Sequence, residues 1–369
     1  MKNKKRIVIK LLFLIILFLF SAGQRLLFGQ NLTGNSYEIR YHKSVILPHY
    51  SSFKYYSKEP ISAVEFNFKF PTLGNKPWHS AKKYPNIGIG LFYSGLNNND
   101  FLGRAFGIQS LVDFRLISFR KFFLDYRFVF GAVYLTKPFN LQTNPYNVVI
   151  GSHVNALVQT GFDAGYQFLP RWQSSVGFSL IHFSNGTVKK PNAGLNQLSL
   201  NLKLAYTPNF KEKAEQKFEN FEPKNGFTAI VSGGFHQTSL EYHRLFFAGD
   251  FVLEYNRIFS RGSGFDFGTD LFFDNSIAAQ MPIDSVVASN KQDAFYIGMH
   301  AGYSFITGKL SFILQGGPYI SRKPYSTQSF FTRFGFRYKI NKFLIANLTL
   351  KTYFAKADFI EWGVGYYLN

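Results

Sequence analysis

The sequence predicts an all-β protein, a transmembrane antiparallel outer-membrane β-barrel of about 12–16 strands. Three observations lead to this class: an export-type N-terminus, an aromatic content of 19% with 45 Phe and 22 Tyr, and alternation of apolar and polar residues along many short segments. Period-two alternation turns one set of side chains to lipid and the other to the lumen. A large soluble β-sandwich, whose polar face meets water, is the alternative that composition allows.

Residues 1–29 are predicted to be a signal peptide. The chain opens with basic MKNKKR, continues through the apolar IVIKLLFLIILFLFSAG, and offers small residues for cleavage after Gly23 or Gly29. An uncleaved membrane anchor is the alternative. Later apolar runs are shorter than the roughly 20 residues of a membrane helix, and the absence of Cys excludes disulfides and a lipid-modified cysteine.

The exported chain would remain strongly basic. Six of the 41 basic residues and none of the 21 acidic residues lie before residue 30, which leaves 35 basic against 21 acidic. Such a balance favours phosphate-bearing partners, namely nucleic acid, anionic lipid or lipopolysaccharide. Export from the cytoplasm argues against nucleic acid as the binding partner.

Residues 30–369 are predicted to form a single barrel. Sixteen segments have strand character, although twelve to fourteen strands would also fit, and an even number returns both ends to the periplasm. The segments are 36–46, 61–70, 86–95, 103–117, 121–136, 147–168, 172–184, 196–206, 226–238, 244–259, 264–274, 294–306, 309–320, 329–340, 343–354 and 358–368. A charged run at 209–225 is predicted to be a periplasmic spacer or short helix, and 276–292 a long loop.

The hairpin at 172–207 carries the residues with the clearest chemical pattern. In WQSSVGFSLIHFS and NQLSLNLKLAY the even positions are mostly apolar and therefore face lipid. A hairpin centred near residue 189 places His182 directly opposite Asn196, and Ser184 follows His182 on the same face. Polar side chains on this face need partners or a position at headgroup level. An ordinary polar rim is the alternative to a site, and the strand count places the loop outside the cell.

The stretch HFSN at 182–185 with PNAGL at 191–195 resembles the motif of the lipid A 3-O-deacylase family, also labelled acyloxyacyl hydrolase. The resemblance implies an outer-membrane esterase that cuts a fatty-acyl ester of lipid A with a Ser-His-Glu triad on the barrel exterior. It implies Ser184 as nucleophile and His182 as general base. Asn185, Gly186 and Asn192 would support the oxyanion site and the loop.

The chain departs from this family at Asn196, which stands where the triad carboxylate is expected. An amide can orient an imidazole but adds no negative charge, and in another triad the same exchange costs about 10⁴ in turnover. Glu361 is predicted to face the lumen, and Asp358 is a speculative replacement. Lys189 and Lys190 are predicted contacts for lipid A phosphates, with a solvated turn as the equal alternative.

The predicted partner is lipid A or lipopolysaccharide in the outer leaflet, and the predicted protein is embedded in the membrane. No nucleic acid, cofactor or metal is expected, and the loose His236 and His243 pair is assigned to strand or rim rather than to metal binding. The alternative function is a non-catalytic barrel, porin-like or surface-binding, that retains a degenerate hairpin.

Overall fold

The computed structural model describes residues 32–48, 59–96, 100–209, 211–212, 220–240, 244–280, 294–321, 328–353 and 356–368. Within these ranges, sixteen strands form two closed antiparallel barrels of eight strands each. A further pair of two-residue strands, β1 (Leu32–Thr33) and β10 (Lys211–Glu212), forms a separate small sheet. The chain is therefore a tandem of two complete barrels.

The first barrel, here the N-barrel, contains eight consecutive strands and closes by pairing its last strand with its first. Its strands are β2 (Ser36–Leu47), β3 (Ile61–Pro71), β4 (Asn86–Gly95), β5 (Arg104–Phe119), β6 (Phe122–Leu135), β7 (Val154–Leu169), β8 (Trp172–Ser184) and β9 (Leu195–Tyr206). Tyr37 lies opposite Tyr206 at the closing seam. A short helix, α1 (Pro77–Ala81), lies between β3 and β4.

The second barrel, here the C-barrel, repeats this plan. Its strands are β11 (Lys224–His236), β12 (Phe246–Ser260), β13 (Ser263–Asp274), β14 (Phe295–Thr307), β15 (Leu310–Pro318), β16 (Phe330–Lys339), β17 (Leu344–Tyr353) and β18 (Lys356–Leu368). It closes where Phe227 of β11 lies opposite Leu368 of β18. Helix α2 (Asn275–Gln280) follows β13.

All sixteen predicted strands are present, but the prediction of a single barrel over 30–369 is wrong. Alternation identifies the two faces of each strand, and it does not reveal that β9 pairs back to β2. The segment predicted as a strand from residue 147 begins at Val154, because the Asn147 side chain instead donates to the Lys137 and Phe101 carbonyls. The predicted spacer 209–225 contains β10 and the start of β11; its residues 210 and 213–219, like the predicted signal peptide, lie outside the described residues.

Charged side chains fill both lumens. In the N-barrel, Arg40 binds Asp163 at 2.7 Å, and Arg127 binds Glu38 at 2.9 Å and Glu65 at 2.8 Å. These groups are buried, with Arg40 and Glu65 fully inaccessible. The lumen of an eight-stranded barrel is only wide enough for side chains. Buried, mutually paired charges are the arrangement that such a lumen requires.

The C-barrel has an equivalent network centred on Arg333. Its guanidinium lies 2.6 Å from Asp250, 2.7 Å from Asp270 and 2.7 Å from Glu361. The outward positions of both barrels are apolar and exposed; Leu200, for example, is 68% exposed. Polar inside and apolar outside is the pattern of barrels that meet lipid.

The two barrels stand side by side and point the same way. One end, the turn end, carries the short connections 120–121, 170–171, 261–262, 308–309 and 340–343 together with the longer 72–85, and the other, the loop end, carries 48–60, 96–103, 136–153, 185–194, 237–245, 275–294, 319–329 and the short 354–355. Lys82 Nζ donates to the Gly262 carbonyl at 2.6 Å between the two turn ends. Thr187 Oγ1 donates to the Asp358 carbonyl between the two loop ends.

An apolar layer closes the N-barrel beneath its loop end. Its members are buried side chains that include Ile61, Phe92, Val133, Leu157, Phe183 and Leu195. Phe92 and Phe183 pack edge-to-face with ring centroids 5.8 Å apart. This layer fixes the end of β8, where the predicted site lies. Among the described residues, no helix has the length and apolar character needed to cross a membrane.

Candidate active site

The predicted hairpin has the predicted register. Strands β8 and β9 pair antiparallel with His182 opposite Asn196. Along β8 the odd residues from Ser175 to Phe183 are buried in the lumen, while Val176, Phe178 and Leu180 are exposed. His182 and Ser184 continue the even, outward series. The predicted pairing of His182 with Asn196 is present, and His182 and Ser184 occupy one face of the hairpin.

His182 is held by Asn196. The Nδ1 of His182 lies 2.5 Å from Oδ1 of Asn196. Because an amide oxygen accepts but cannot donate, this contact places the imidazole proton on Nδ1 and leaves Nε2 as the basic nitrogen. Asn196 therefore holds the imidazole through an uncharged amide oxygen.

Ser184 ends β8 and is 9% exposed. The Nδ2 of Asn192 donates to its Oγ at 3.0 Å, and Oγ in turn donates to Oδ1 of the same amide at 3.2 Å. The backbone N–H of Gly186 donates to Oγ at 3.2 Å. The Ser184 hydroxyl thus accepts from two N–H groups and donates to one amide oxygen.

Asn185 anchors the loop that follows Ser184. Its Nδ2 donates to Ser152 Oγ and to the Lys189 carbonyl, both at 2.8 Å. Its backbone N–H donates to Oδ1 of Asn192 at 3.2 Å. The predicted loop-supporting residues are thus brought together around one short turn.

The C-barrel holds the same loop from outside. Thr187 donates through Oγ1 to the Asp358 carbonyl, and its own carbonyl accepts from the Gln237 N–H at 2.9 Å. Oε1 of Gln237 accepts from the Lys190 N–H at 2.8 Å. The hairpin pattern gives no signal for these contacts, because they join parts of the chain that are distant in sequence.

Gly194 is a site residue to which sequence reasoning assigned no role. Its φ is +77°, and a Cβ built on it would lie 2.6 Å from Cε1 of His182. A side chain would therefore strain the backbone and displace the imidazole. In the sequence, its importance is indicated by its place in the PNAGL stretch, directly before β9.

The two loop lysines have different surroundings. Lys189 is exposed, whereas Lys190 is half-buried against the C-barrel. Burial lowers the pKa of Lys190, and the nearby charge of Lys356 lowers it further. Lys189 is thus the freer of the two for a phosphate group.

Neither acidic residue of β18 serves His182. Asp358 binds Lys351 Nζ at 2.6 Å, and Glu361 binds Arg333 at 2.7 Å. Both carboxylates are buried. The prediction of a lumen-facing Glu361 is confirmed, and the speculative use of Asp358 as a triad carboxylate is wrong. Within the described ranges, no three His, Asp or Glu side chains form a group that could hold a metal ion.

These features define an outer-membrane β-barrel with a Ser-His-Asn cluster on its outer wall. Comparison with family models identifies two segments: residues 62–205 match "Lipid A 3-O-deacylase (PagL)", and residues 225–369 match "Acyloxyacyl hydrolase, C-terminal domain". The two matches span 144 and 145 residues, one for each barrel. The chain belongs to the lipid A 3-O-deacylase and acyloxyacyl hydrolase family of outer-membrane barrels.

Solved structures with a similar fold are outer-membrane proteins. The outer membrane enzyme PagL is 15% identical over 45% of this chain and 97% of its own, with a TM-score of 0.29. Omp33 of Acinetobacter baumannii is 9% identical over 91% and 98%, with a TM-score of 0.17, and a Rh. blastica porin variant is 8% identical over 91% and 100%, with a TM-score of 0.18. A comparison with curated proteins gives no match.

Proposed function

We propose that this protein is an outer-membrane esterase that hydrolyses a fatty-acyl ester of lipid A. Ser184 is the nucleophile and His182 the general base. The observation that carries the proposal is the contact of His182 Nδ1 with Asn196 Oδ1, which leaves Nε2 basic on the face that also presents Ser184. A serine and an oriented imidazole on one face are the minimum machinery for acyl transfer.

The reaction follows from these positions. Ser184 Oγ attacks the ester carbonyl while His182 Nε2 takes the hydroxyl proton, and the collapsing intermediate returns that proton to the sugar alkoxide as it leaves. A water, deprotonated by the same nitrogen, then attacks the acyl-serine ester. The fatty acid departs, and Ser184 recovers its proton.

The donors around Ser184 supply stabilisation of the intermediate. The Gly186 N–H and Asn192 Nδ2 lie 3.2 and 3.0 Å from Oγ, so both can donate to an oxyanion that forms on the carbonyl attached to it. Removal of one such donor costs about 10²–10³ in turnover in a serine hydrolase. Asn185 acts through the loop rather than on the substrate.

Asn196 limits the rate. It fixes the imidazole tautomer through Oδ1, but it contributes no negative charge to stabilise the imidazolium that forms during attack. We therefore expect turnover below that of an otherwise identical site with a carboxylate.

The loop end suits the proposed substrate. Outer-membrane barrels have short periplasmic turns and longer extracellular loops, so the loop end with Ser184 faces the outer leaflet, where lipopolysaccharide resides. An ester at the headgroup boundary would meet Ser184 at the upper rim of the wall. Lys189, and Lys190 to a smaller extent, would contact lipid A phosphates. The predicted signal peptide, residues 1–29, would direct export of the chain toward the outer membrane.

The second candidate, a non-catalytic barrel, receives less support as a channel than as a surface-binding protein. Paired charges such as Arg127 with Glu65 and Arg333 with Glu361 fill both lumens. Channels for water-soluble solutes need wider barrels than eight strands provide. A surface-binding protein would use the same loop without chemistry at Ser184.

Mass spectrometry of lipid A tests the function. Lipid A is extracted from cells without the protein, with wild type, and with Ser184→Ala, and the acyl content is compared. Loss of one acyl chain in wild type alone supports the proposal. Unchanged acyl content in wild type, or an equal loss with Ser184→Ala, would overturn it. The purified protein acting on isolated lipopolysaccharide, with released fatty acid as the readout, excludes an indirect effect.

A further inference from the structure

An open apolar groove lies between the two barrels and continues over outward side chains of the N-barrel such as Phe66 and Ile89. His182 and Ser184 contribute to its N-barrel wall. Its C-barrel wall is made by outward side chains of β15–β18: Phe312, Phe336, Leu348, Leu350, Ile360 and Trp362. The groove is thus continuous with the candidate nucleophile.

We infer that the C-barrel forms the second wall of an acyl-chain groove. The fatty-acyl chain of the ester cut at Ser184 lies between the barrels, and C-barrel side chains select its length. This inference rests on the proposed esterase function. It assigns a specificity role to a barrel that supplies none of the Ser-His-Asn cluster.

Three outward side chains of this C-barrel wall are less exposed than outward side chains of β12 and β14. Leu253 on β12 and Met299 on β14 are 50% and 48% exposed, as lipid-facing residues are. Leu348, Leu350 and Ile360 point outward in the same way but are half-buried. The N-barrel therefore shields this wall from bulk lipid while leaving a groove in front of it.

Contacts at two levels bound the groove. At the loop end, Gly186 packs against Ile360, since a Cβ on Gly186 would lie 2.5 Å from Ile360 Cγ1. Farther toward the turn end, Phe130 meets Phe336 with ring centroids 5.0 Å apart, and Phe128 meets Phe312 at 5.6 Å. An acyl chain with its ester at Ser184 would run from the first contact toward the phenyl rings.

Shape rather than hydrophobicity gives this groove its selectivity. An acyl chain in the bilayer is already in an apolar medium, so transfer to the groove gains little from the hydrophobic effect. Fixed rings such as Phe336 can reject a chain that is too long, and alignment of the ester with Ser184 depends on the fit. In enzyme pockets, one methylene changes discrimination by about 10–200-fold.

Two substitutions should shift chain-length preference in opposite directions. Leu348→Trp fills the groove and should favour shorter chains, whereas Phe336→Ala opens its far end and should favour longer ones. The readout is the ratio of kcat/KM for synthetic lipid A esters that differ by two carbons, with shifts of tenfold or more expected. Leu253→Trp, on the lipid-facing wall away from the groove, is the matched control. An unchanged length profile in both groove variants, or the same shift in Leu253→Trp, would overturn the inference.

A binding experiment separates this inference from the proposed function. Ser184→Ala protein in lipid nanodiscs is irradiated with lipid A that carries a diazirine on an acyl chain, and the cross-linked residues are mapped by mass spectrometry. For each probe, labelling of Leu348, Leu350 or Trp362 is divided by labelling of Leu253. If this ratio is several-fold higher with the lipid A probe than with a diazirine phospholipid, the groove is supported even if wild type cleaves no ester. A distribution equal to that of the phospholipid probe contradicts the groove even if wild type is an active esterase.

Discussion

Gly186 of the N-barrel packs directly against Ile360 of the C-barrel, so closely that a Cβ on Gly186 would lie 2.5 Å from Ile360 Cγ1. Gly186 also has a φ of +63° and donates its N–H to Ser184 Oγ. One residue thus links Ser184, the proposed nucleophile, to the second barrel, and the geometry around Ser184 depends on how the barrels fit together.

Gly186→Ala should therefore lower turnover without unfolding either barrel. The added methyl must move either the loop or β18, and the displaced N–H would cost about 10²-fold or more. Initial rates of fatty-acid release measure the loss. Gly95→Ala is the matched control, because a Cβ there meets nothing within 4 Å. Equal rates in both variants would contradict the assigned role of Gly186.

Asn196→Asp should raise turnover by about ten- to a hundredfold. A carboxylate has nearly the same shape, accepts the same Nδ1–H and also stabilises the imidazolium, while the reverse exchange in another triad costs about 10⁴. Single-turnover rates with wild type and Asn196→Asp provide the measurement. Asn196→Ala, which loses the contact at Nδ1, should fall below both. A folded Asn196→Asp variant no faster than wild type would show that charge at this position is not limiting.

Gly194→Ala should reduce activity severely, because its Cβ would meet Cε1 of His182 at 2.6 Å and its φ of +77° disfavours a side chain. The substitution moves the imidazole away from the Asn196 oxygen. Fatty-acid release and heat-modified mobility on gels separate lost catalysis from lost folding. Normal turnover would mean that the imidazole tolerates displacement.

Lys189→Gln should weaken binding of phosphorylated lipid A and leave turnover nearly unchanged. Lys189 is exposed, so its contribution is modest and should decrease as salt screens it. We expect KM to rise about two- to fivefold at low ionic strength. Dephosphorylated lipid A is the control substrate. A similar rise in KM with that substrate would rule out a phosphate contact.

Arg333→Met should destabilise the C-barrel by about 3–5 kcal/mol, since it leaves Asp250, Asp270 and Glu361 without their shared partner. Urea unfolding in detergent, followed by Trp362 fluorescence in a background lacking Trp78 and Trp172, reports on this barrel. Arg257→Met, at an exposed position, is the matched control. Equal midpoints for the two variants would mean that the carboxylates find other partners.

The sequence was sufficient to predict the strands and the hairpin. Alternation is local, so it located β8 and β9 and set His182 opposite Asn196. Closure is not local: nothing within β9 distinguishes pairing with β2 from pairing with the next strand in the chain. A count of sixteen strands therefore fitted one large barrel as well as two small ones.

The contact between the barrels was equally hidden. The sequence does not distinguish an outward Phe336 from an outward Leu253, because lipid and a neighbouring apolar wall both favour an apolar side chain. Gly186 and Gly194 acquire their importance only from the atoms that pack against them. Sequence reasoning thus located the residues of the proposed site but not their contact with the second barrel.

The even strand number of each barrel governs how the tandem can be assembled. Strands β2 and β11 begin, and β9 and β18 finish, on the same side. The segment from β9 to β11 therefore need not cross the bilayer, and the second barrel inserts upright. A module with seven or nine strands would invert its successor and carry the C-barrel wall to the opposite leaflet. Parity thus keeps both halves of the groove in one leaflet.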